Sequence, residues 1–303
     1  MQGRTRLTQQ SDSHPERAFF AREEPVPSEV EGIGASRADC RVLCDRITRV
    51  WLASLSTCST RKIFTTLALF VTPLTLSAAS PKEPPAAQTV DSGSFGVFMN
   101  GKRVATETFS IHQSSTGSSV TSEFKTEVGV EKAAQNSELQ LSPNGDLQSY
   151  QWNETSPGES HALVFPNQDF LTERFSKSPQ DKPLEQPFLL PASTSILDDY
   201  FLVQREVLAW KYLATTCKQE GGQISCPLKQ PVQLGTLNAH ARQSMLVTVQ
   251  YSGREKVPIR GTERELIRLD MKTEAGDWAL WLDDQLKVQR ILDLTTNTEI
   301  LRD

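Results

Sequence analysis

The chain has 303 residues, a formal net charge of −5 and a hydrophobic content of 37 %. The 224 residues from Ser80 to Asp303 suffice for one core, because single all-β domains commonly reach about 200–250 residues. This part contains 22 Lys and Arg against 29 Asp and Glu, a formal charge of −7. The balance argues against a nucleic-acid-binding protein, which needs clustered Lys and Arg to contact phosphates.

The first segment, residues 1–60, mixes charged residues with Ser, Pro and Gly and has no sustained apolar period of a helix or a strand. We expect it to be disordered, or to result from a wrongly assigned start. No Met occurs between Met1 and Met99, so an internal start would use a non-AUG codon, for instance that of Val50 or Leu52.

Residues 61–79 are typical of a secretory signal peptide. Arg61 and Lys62 precede an apolar run from Ile63 to Leu76, and small residues follow up to Ala79. Cleavage near Ala79 would release the remainder into the periplasm or the medium. The alternative is a retained inner-membrane anchor, although the run is at the short end of the roughly 20 residues that a membrane span needs. We expect no other membrane contact.

The Pro- and Ala-rich residues 80–92 predict a mobile linker. From residue 93 onwards, β-branched and aromatic residues alternate with polar ones, and turn signals follow at the spacing of an antiparallel sheet. Asn100-Gly101 predicts a type I′ turn between the first two strands. Trp278–Leu282 places one Trp on each face of a strand, so we expect this strand to be covered on both sides.

One stretch departs from the strand pattern. Apolar residues recur at helical spacing over about residues 195–214, after a capping Ser193-Thr-Ser195, and Asp198 and Asp199 suit the first turn. Arg205 and Glu206 are expected to face solvent. The predicted fold of residues 93–303 is therefore mainly β, a large curved antiparallel sheet or half-open barrel with one amphipathic helix packed against it.

Two cysteines, Cys217 and Cys226, flank a predicted hairpin with Gly221-Gly222 near its middle. Export permits disulfides, and a hairpin brings the two side chains close, so we predict that they are bonded. The other cysteines precede the predicted cleavage and lack the companion ligands of a metal site; they are Cys40, Cys44 and Cys58.

The sequence indicates no catalytic, cofactor-binding or metal-binding residues. His112, His161 and His240 are far apart in the chain and do not have the spacing of a helical metal pair. Neither a nucleophile elbow nor a phosphate-binding Gly loop occurs. Adjacent carboxylates such as Asp198-Asp199 are explained by capping. We therefore expect a protein that is not an enzyme and needs no cofactor.

The opening hairpin, Gly96-Val-Phe-Met-Asn-Gly-Lys-Arg-Val-Ala-Thr-Glu-Thr-Phe109, and the closing Trp281-Leu-Asp283 resemble an exported bacterial β-sheet family of the domain-of-unknown-function type. Ala105 stands where that family commonly has Gly. The family looks like the lipoprotein-carrier class in architecture. The resemblance implies a half-open barrel with helical cover and a binding or envelope-maintenance role, and it assigns no catalytic residues.

A curved sheet under a helix often leaves an apolar cavity. The residues expected to line it are Tyr200, Phe201, Leu208, Trp278 and Trp281. The expected function is non-enzymatic binding of an apolar or lipid-like ligand in the periplasm. The alternative is a structural module that binds another envelope protein.

Overall fold

The structure is a computed structural model that describes residues 87–129, 132–220, 223–274 and 276–303. The predictions for residues 1–60 and for the signal segment 61–79 lie outside the described residues, as does most of the predicted linker 80–92. The end of that linker was predicted wrongly. Gln88–Ser92 begin the first strand and pair with the second, because the Pro-rich composition ends at Pro85.

The described residues form seventeen strands, of which fifteen make one open sheet and two a separate hairpin. The strands are β1 (Gln88–Met99), β2 (Lys102–Ser114), β3 (Gly117–Thr126), β4 (Ala134–Leu141), β5 (Leu147–Ser156), β6 (His161–Asn167), β7 (Phe170–Ser176), β8 (Leu184–Phe188), β9 (Ser195–Ile196), β10 (Lys218–Glu220), β11 (Gln223–Ser225), β12 (Val232–Asn238), β13 (Gln243–Ile259), β14 (Thr262–Thr273), β15 (Gly276–Leu282), β16 (Val288–Asp293) and β17 (Thr298–Arg302).

The large sheet has the order β8-β7-β6-β5-β4-β3-β2-β1-β17-β16-β15-β14-β13-β12-β9. Neighbouring strands are antiparallel except for the short pairing of β9 with β12. At the first turn Asn100 and Gly101 both have positive φ, of 51° and 75°, as a type I′ turn requires. The predicted mainly β fold, with one large, mostly antiparallel and unclosed sheet and one helix, is confirmed.

The helix α1 (Val203–Thr216) covers one side of the sheet, here called the inner face. The predicted start near residue 195 is wrong, because Ser195–Ile196 extend as β9 and pair with Thr236 and Leu237 of β12. Leu202 precedes the helix and makes no side-chain capping bond. The main hydrophobic core lies between α1 and the inner face.

A second, smaller core lies on the opposite, outer face. A register shift between Tyr251 and Gly253 reverses the facing of β13, so that Val257 and Ile259 pack with Trp281 on the outer face. The tip of the β13–β14 hairpin bends back towards the last strand, where Arg260 donates a hydrogen bond to the carbonyl of residue 302. The expectation that β15 is covered on both sides is thereby confirmed.

The predicted disulfide between Cys217 and Cys226 is present in the structure. Cys217 follows the last residue of α1, and the bond ties the end of the helix to the β10–β11 hairpin. Both cysteines are partly buried and pack against the main core. The disulfide therefore holds this small hairpin against the body of the domain.

Candidate functional site

The segment that joins β9 to α1 carries a buried carboxylate, Asp198, whose side chain is fully enclosed. The Tyr150 hydroxyl donates to Asp198 Oδ2 at 3.0 Å, and the backbone N–H of Tyr200 donates to Oδ1 at 3.2 Å. Burial alone would raise the pKa of Asp198, but the pairing with His240 and these hydrogen bonds hold it below its ordinary value. The aspartate is therefore an ionised group inside the domain.

The partner of this aspartate is His240, which lies in the turn between β12 and β13. Its Nδ1 is 2.5 Å from Asp198 Oδ2 and its Nε2 is 2.7 Å from Gln135 Oε1 on β4. The ring stacks on Trp152 of β5 with 3.7 Å between centroids, and Tyr200 lies 4.6 Å away. His240 follows β12, which lies near one end of the strand order, whereas β4 and β5 lie in the other half. The cluster therefore shows that the sheet curves until its two halves meet across the inner face.

The geometry of this cluster suits a structural role better than catalysis. A general base needs a free nitrogen within reach of a substrate proton, but both ring nitrogens of His240 already have oxygen partners. The nearby hydroxyl of Tyr150 bonds to the aspartate and not to the imidazole. Among the described residues, no group of three or more His, Cys, Asp or Glu side chains is arranged to hold a metal ion.

A second buried carboxyl, Glu107 of β2, meets the start of the helix. Both of its oxygens accept from the backbone N–H of Val203, at 3.3 and 3.1 Å, and Ser122 donates to one of them at 2.6 Å. Burial raises the pKa of Glu107 to about 7, while these hydrogen bonds act in the opposite direction. Glu107 thus supplies the cap that α1 lacks in its own sequence.

A third polar group joins α1 to both ends of the described chain. Arg302 of β17 contacts Asp91 of β1 at 2.5 Å and Glu206 of α1 at 3.3 Å, and Lys287 contacts Asp91 at 2.8 Å. The backbone N–H of Val288 donates to Glu206 at 3.0 Å. Burial and the neighbouring Asp91 raise the pKa of Glu206 to about 9. Burial would raise the pKa of Asp91 too, but its hydrogen bond with Glu206 and the two cations lower it.

One further buried acid has no hydrogen-bond partner among the described residues. Glu173 of β7 is 1 % exposed, and neither carboxyl oxygen is bonded. Burial raises its pKa to about 8, with Arg242 acting against this rise and Asp198 adding to it. The neutral form is the state that burial without a hydrogen-bond partner favours.

The five residues expected to line a cavity do not form one site. Phe201 and Leu208 are buried in the main core, and Tyr200 and Trp278 pack against it. Trp281 belongs to the second core on the outer face. Leu280, its neighbour in β15, belongs to the main core on the inner face instead, since successive residues of a strand face opposite sides.

Two shallow clefts on the surface of the described residues are lined by none of these five. One, of about 90 Å³, is lined by polar residues that include His112, Ser114 and Gln140. The other, of about 160 Å³, is lined by Phe98 and Arg290 among others. Both are smaller than the roughly 300–1,000 Å³ that drug-sized ligands occupy.

The sequence contained one overlooked signal for the polar groups. Glu107 occupies an inward position between Ala105 and Phe109 in an alternating strand, where an apolar residue would be expected. Arg205 and Glu206 were expected to face solvent, but both are buried, because the helix lies with its first turn deep against the sheet. The pairing of Asp198 with His240 carried no local signal.

Within the part of the chain that the structure describes, no helix has the length and hydropathy needed to cross a membrane. Comparison with protein-family models, with curated proteins and with solved structures gives no match to this chain.

Proposed function

We propose that this chain is an exported, non-enzymatic protein of the bacterial envelope that binds another envelope component through its surface. The observation that supports surface binding most directly is the filled inner face. Gln204, Arg205 and Glu206 form the first turn of α1, and none is more than 5 % exposed. A lipid-like ligand between sheet and helix, the other function expected from the sequence, would require α1 to leave these contacts.

The edges of the sheet are poor binding sites for an added strand. At one edge, Pro187 of β8 pairs with Thr172 of β7. Proline has no N–H to donate to β7, so its backbone nitrogen faces away from the sheet. The outer edge of β8 therefore lacks one of the N–H donors that an added strand would need. Pro183 immediately precedes the same strand. At the other edge, β9 has only two residues. Such blunted edges disfavour strand addition.

The outer face of β2–β5 offers a better surface. The exposed side chains there are polar and lie on neighbouring strands; they are Thr108, Thr121, Glu123, Asn136 and Gln151. Register pairs such as Thr108 with Glu123 place them on one face. An envelope component rich in hydrogen-bonding groups would find partners along this face.

Export is supported by the disulfide, since such bonds persist mainly in oxidising compartments such as the periplasm. The absence of enzymatic activity is supported by His240, both of whose nitrogens are occupied. The proposed location is the periplasm or the medium after cleavage near Ala79, with an inner-membrane anchor as the alternative.

Site-specific photocrosslinking in cells tests the proposal. A photoreactive residue at Thr121, on the outer face, should capture an envelope component, whereas one at Thr215, on the exposed side of α1, should not. Native mass spectrometry of the exported protein should show the mass of the polypeptide alone. A co-purifying lipid, together with no crosslink at Thr121, would overturn the proposal in favour of a lipid carrier.

A further inference from the structure

The cleft of about 160 Å³ lies where two hairpin turns end side by side on the outer face. The β1–β2 turn contributes Asn100, and the β16–β17 turn contributes Asn297. The pairing of Phe98 with Glu299 between β1 and β17 holds these turns next to each other. Both Asn residues have positive φ, of 51° and 56°. The cleft is therefore lined by paired strands of the sheet's centre and their tight turns, and not by a long loop.

The floor of this cleft combines an ion pair with apolar surface. Arg290 Nε lies 2.7 Å from Glu299 Oε1, but the N–H forms no hydrogen bond to a described residue. The Arg290 guanidinium is stacked over Trp281, with Cζ 4.8 Å from the ring centroid, which fixes its position. Phe98 and the partly buried Leu292 supply the apolar part of the lining.

This set of groups restricts the chemistry of a ligand. An anion would meet the Glu299 carboxylate and a cation would meet the Arg290 guanidinium, so neither is favoured over a neutral molecule. A guanidinium, a carboxylate and two side-chain amides together offer donors and acceptors to adjacent hydroxyl groups. The Phe98 ring carries the Arg103 guanidinium over it, with Cζ 5.3 Å from the centroid, and lines the cleft with its remaining apolar surface, which suits C–H groups. A neutral sugar ring presents both adjacent hydroxyls and an apolar C–H face.

We propose that the cleft formed by Phe98, Asn100, Arg290, Asn297 and Glu299 binds a neutral sugar ring of an envelope glycan. The inference rests on the proposed function for the envelope location and goes beyond it, because the cleft lies on β1, β16, β17 and their turns and not on the β2–β5 surface. The cleft volume of about 160 Å³ is below the roughly 300 Å³ at which pockets for drug-sized ligands begin, so it suits one ring rather than an extended chain.

The probes for the test are N-acetylglucosamine and glucose, with glucuronate and glucosamine as anionic and cationic comparisons. The full chain, expressed for export and purified in the form the cell makes, is titrated at millimolar concentrations and followed by amide NMR. The neutral sugars should shift the amide signals of Asn100, Gly101 and Asn297 in a saturable manner. The charged analogues should bind more weakly. Equal, non-saturable shifts with all four probes would overturn the inference.

A matched pair of variants tests the site directly. Phe98→Ala removes the apolar platform and should weaken sugar binding about tenfold, the effect of losing one good aromatic contact. Phe165→Ala is the control, because Phe165 also carries a stacked arginine, Arg174, but lies away from the cleft. Equal binding by the two variants would refute the assignment.

A third variant, Glu299→Gln, tests the electrostatic part without removing a large side chain. It should let glucuronate bind at least as well as glucose, because the carboxylate that repels it is gone. If sugar binding fails while crosslinking at Thr121 succeeds, the cleft assignment alone is wrong. If sugars bind but a photoreactive residue at Thr121 captures nothing, the assignment of the β2–β5 surface as the binding face is wrong.

Discussion

The buried carboxyl of Glu107 should make the stability of this fold depend on pH, and Glu107→Gln tests this. The pKa of Glu107 is raised from an ordinary value of 4.5 to about 7 by burial. Between about pH 4.5 and 7 the folded protein therefore keeps a proton that the unfolded chain has released. The unfolded chain binds fewer protons in this range, so the free energy of unfolding falls as the pH rises.

The size of the effect follows from the rise in pKa of about 2.5. Each pKa unit corresponds to about 1.4 kcal/mol, so Glu107 should cost the folded state about 3 kcal/mol once the pH is above 7. Gln resembles the neutral acid in shape and does not titrate. We subtract the free energy of unfolding of the parent protein from that of Glu107→Gln at each pH. This difference should increase by about 3 kcal/mol between pH 4.5 and pH 8.

Urea unfolding followed by tryptophan fluorescence at several pH values measures this difference. Glu173 and Glu206 shift stability in the same direction, but they are present in both proteins and their contributions cancel. Glu123→Gln, on the solvent side of the neighbouring strand, controls for the loss of one carboxylate. A constant difference between Glu107→Gln and the parent across this range would refute the argument that burial perturbs Glu107.

Three further outcomes are expected. Replacement of Pro187 by Thr adds an outward N–H to the β8 edge and should increase self-association in sedimentation velocity; an unchanged sedimentation profile at high concentration would count against edge protection. Replacement of Cys217 and Cys226 by Ser opens a loop of sequence separation 9 and should lower the free energy of unfolding by about 2–3 kcal/mol, measured by urea unfolding under oxidising conditions. Asp198→Asn removes a buried carboxylate that is hydrogen-bonded to His240, Tyr150 and the Tyr200 N–H and should lower the free energy of unfolding by about 2–3 kcal/mol, seen as a lower melting temperature. Asp199→Asn at the exposed neighbouring position should have no such effect, and equal effects of the two substitutions would contradict the assigned burial.

Features with a local physical cause could be predicted from the sequence. Asn100-Gly101 specifies its turn through positive φ at both residues. Alternation in Trp278–Leu282 assigns its two faces because the strand period is two. The disulfide follows from two cysteines at the base of a short hairpin. These elements need no knowledge of distant parts of the chain.

The start of the helix and the polar clusters could not be predicted in this way. The first N–H of α1 is capped by Glu107, which lies 96 residues earlier in the chain. A search for capping residues near the helix finds Ser195 and misses Glu107, and this led to a predicted helix start that was too early. His240 reaches Gln135 only because the sheet curves and brings its two halves together. Such contacts are set by tertiary geometry, which a local pattern of residues does not encode.

The seam between β1 and β17 has a consequence for folding. Phe95–Phe98 pair with Glu299–Arg302, so the middle of the sheet joins segments about 200 residues apart in the chain. This pairing cannot form until residue 302 has left the ribosome. Long-range pairings of this kind slow folding, because the chain loses the entropy of closing a long loop before the strand contacts stabilise it. Removal of residues 298–303 should leave two half-sheets without their common centre, and such a chain would present two new unpaired edges to proteases and to its own copies.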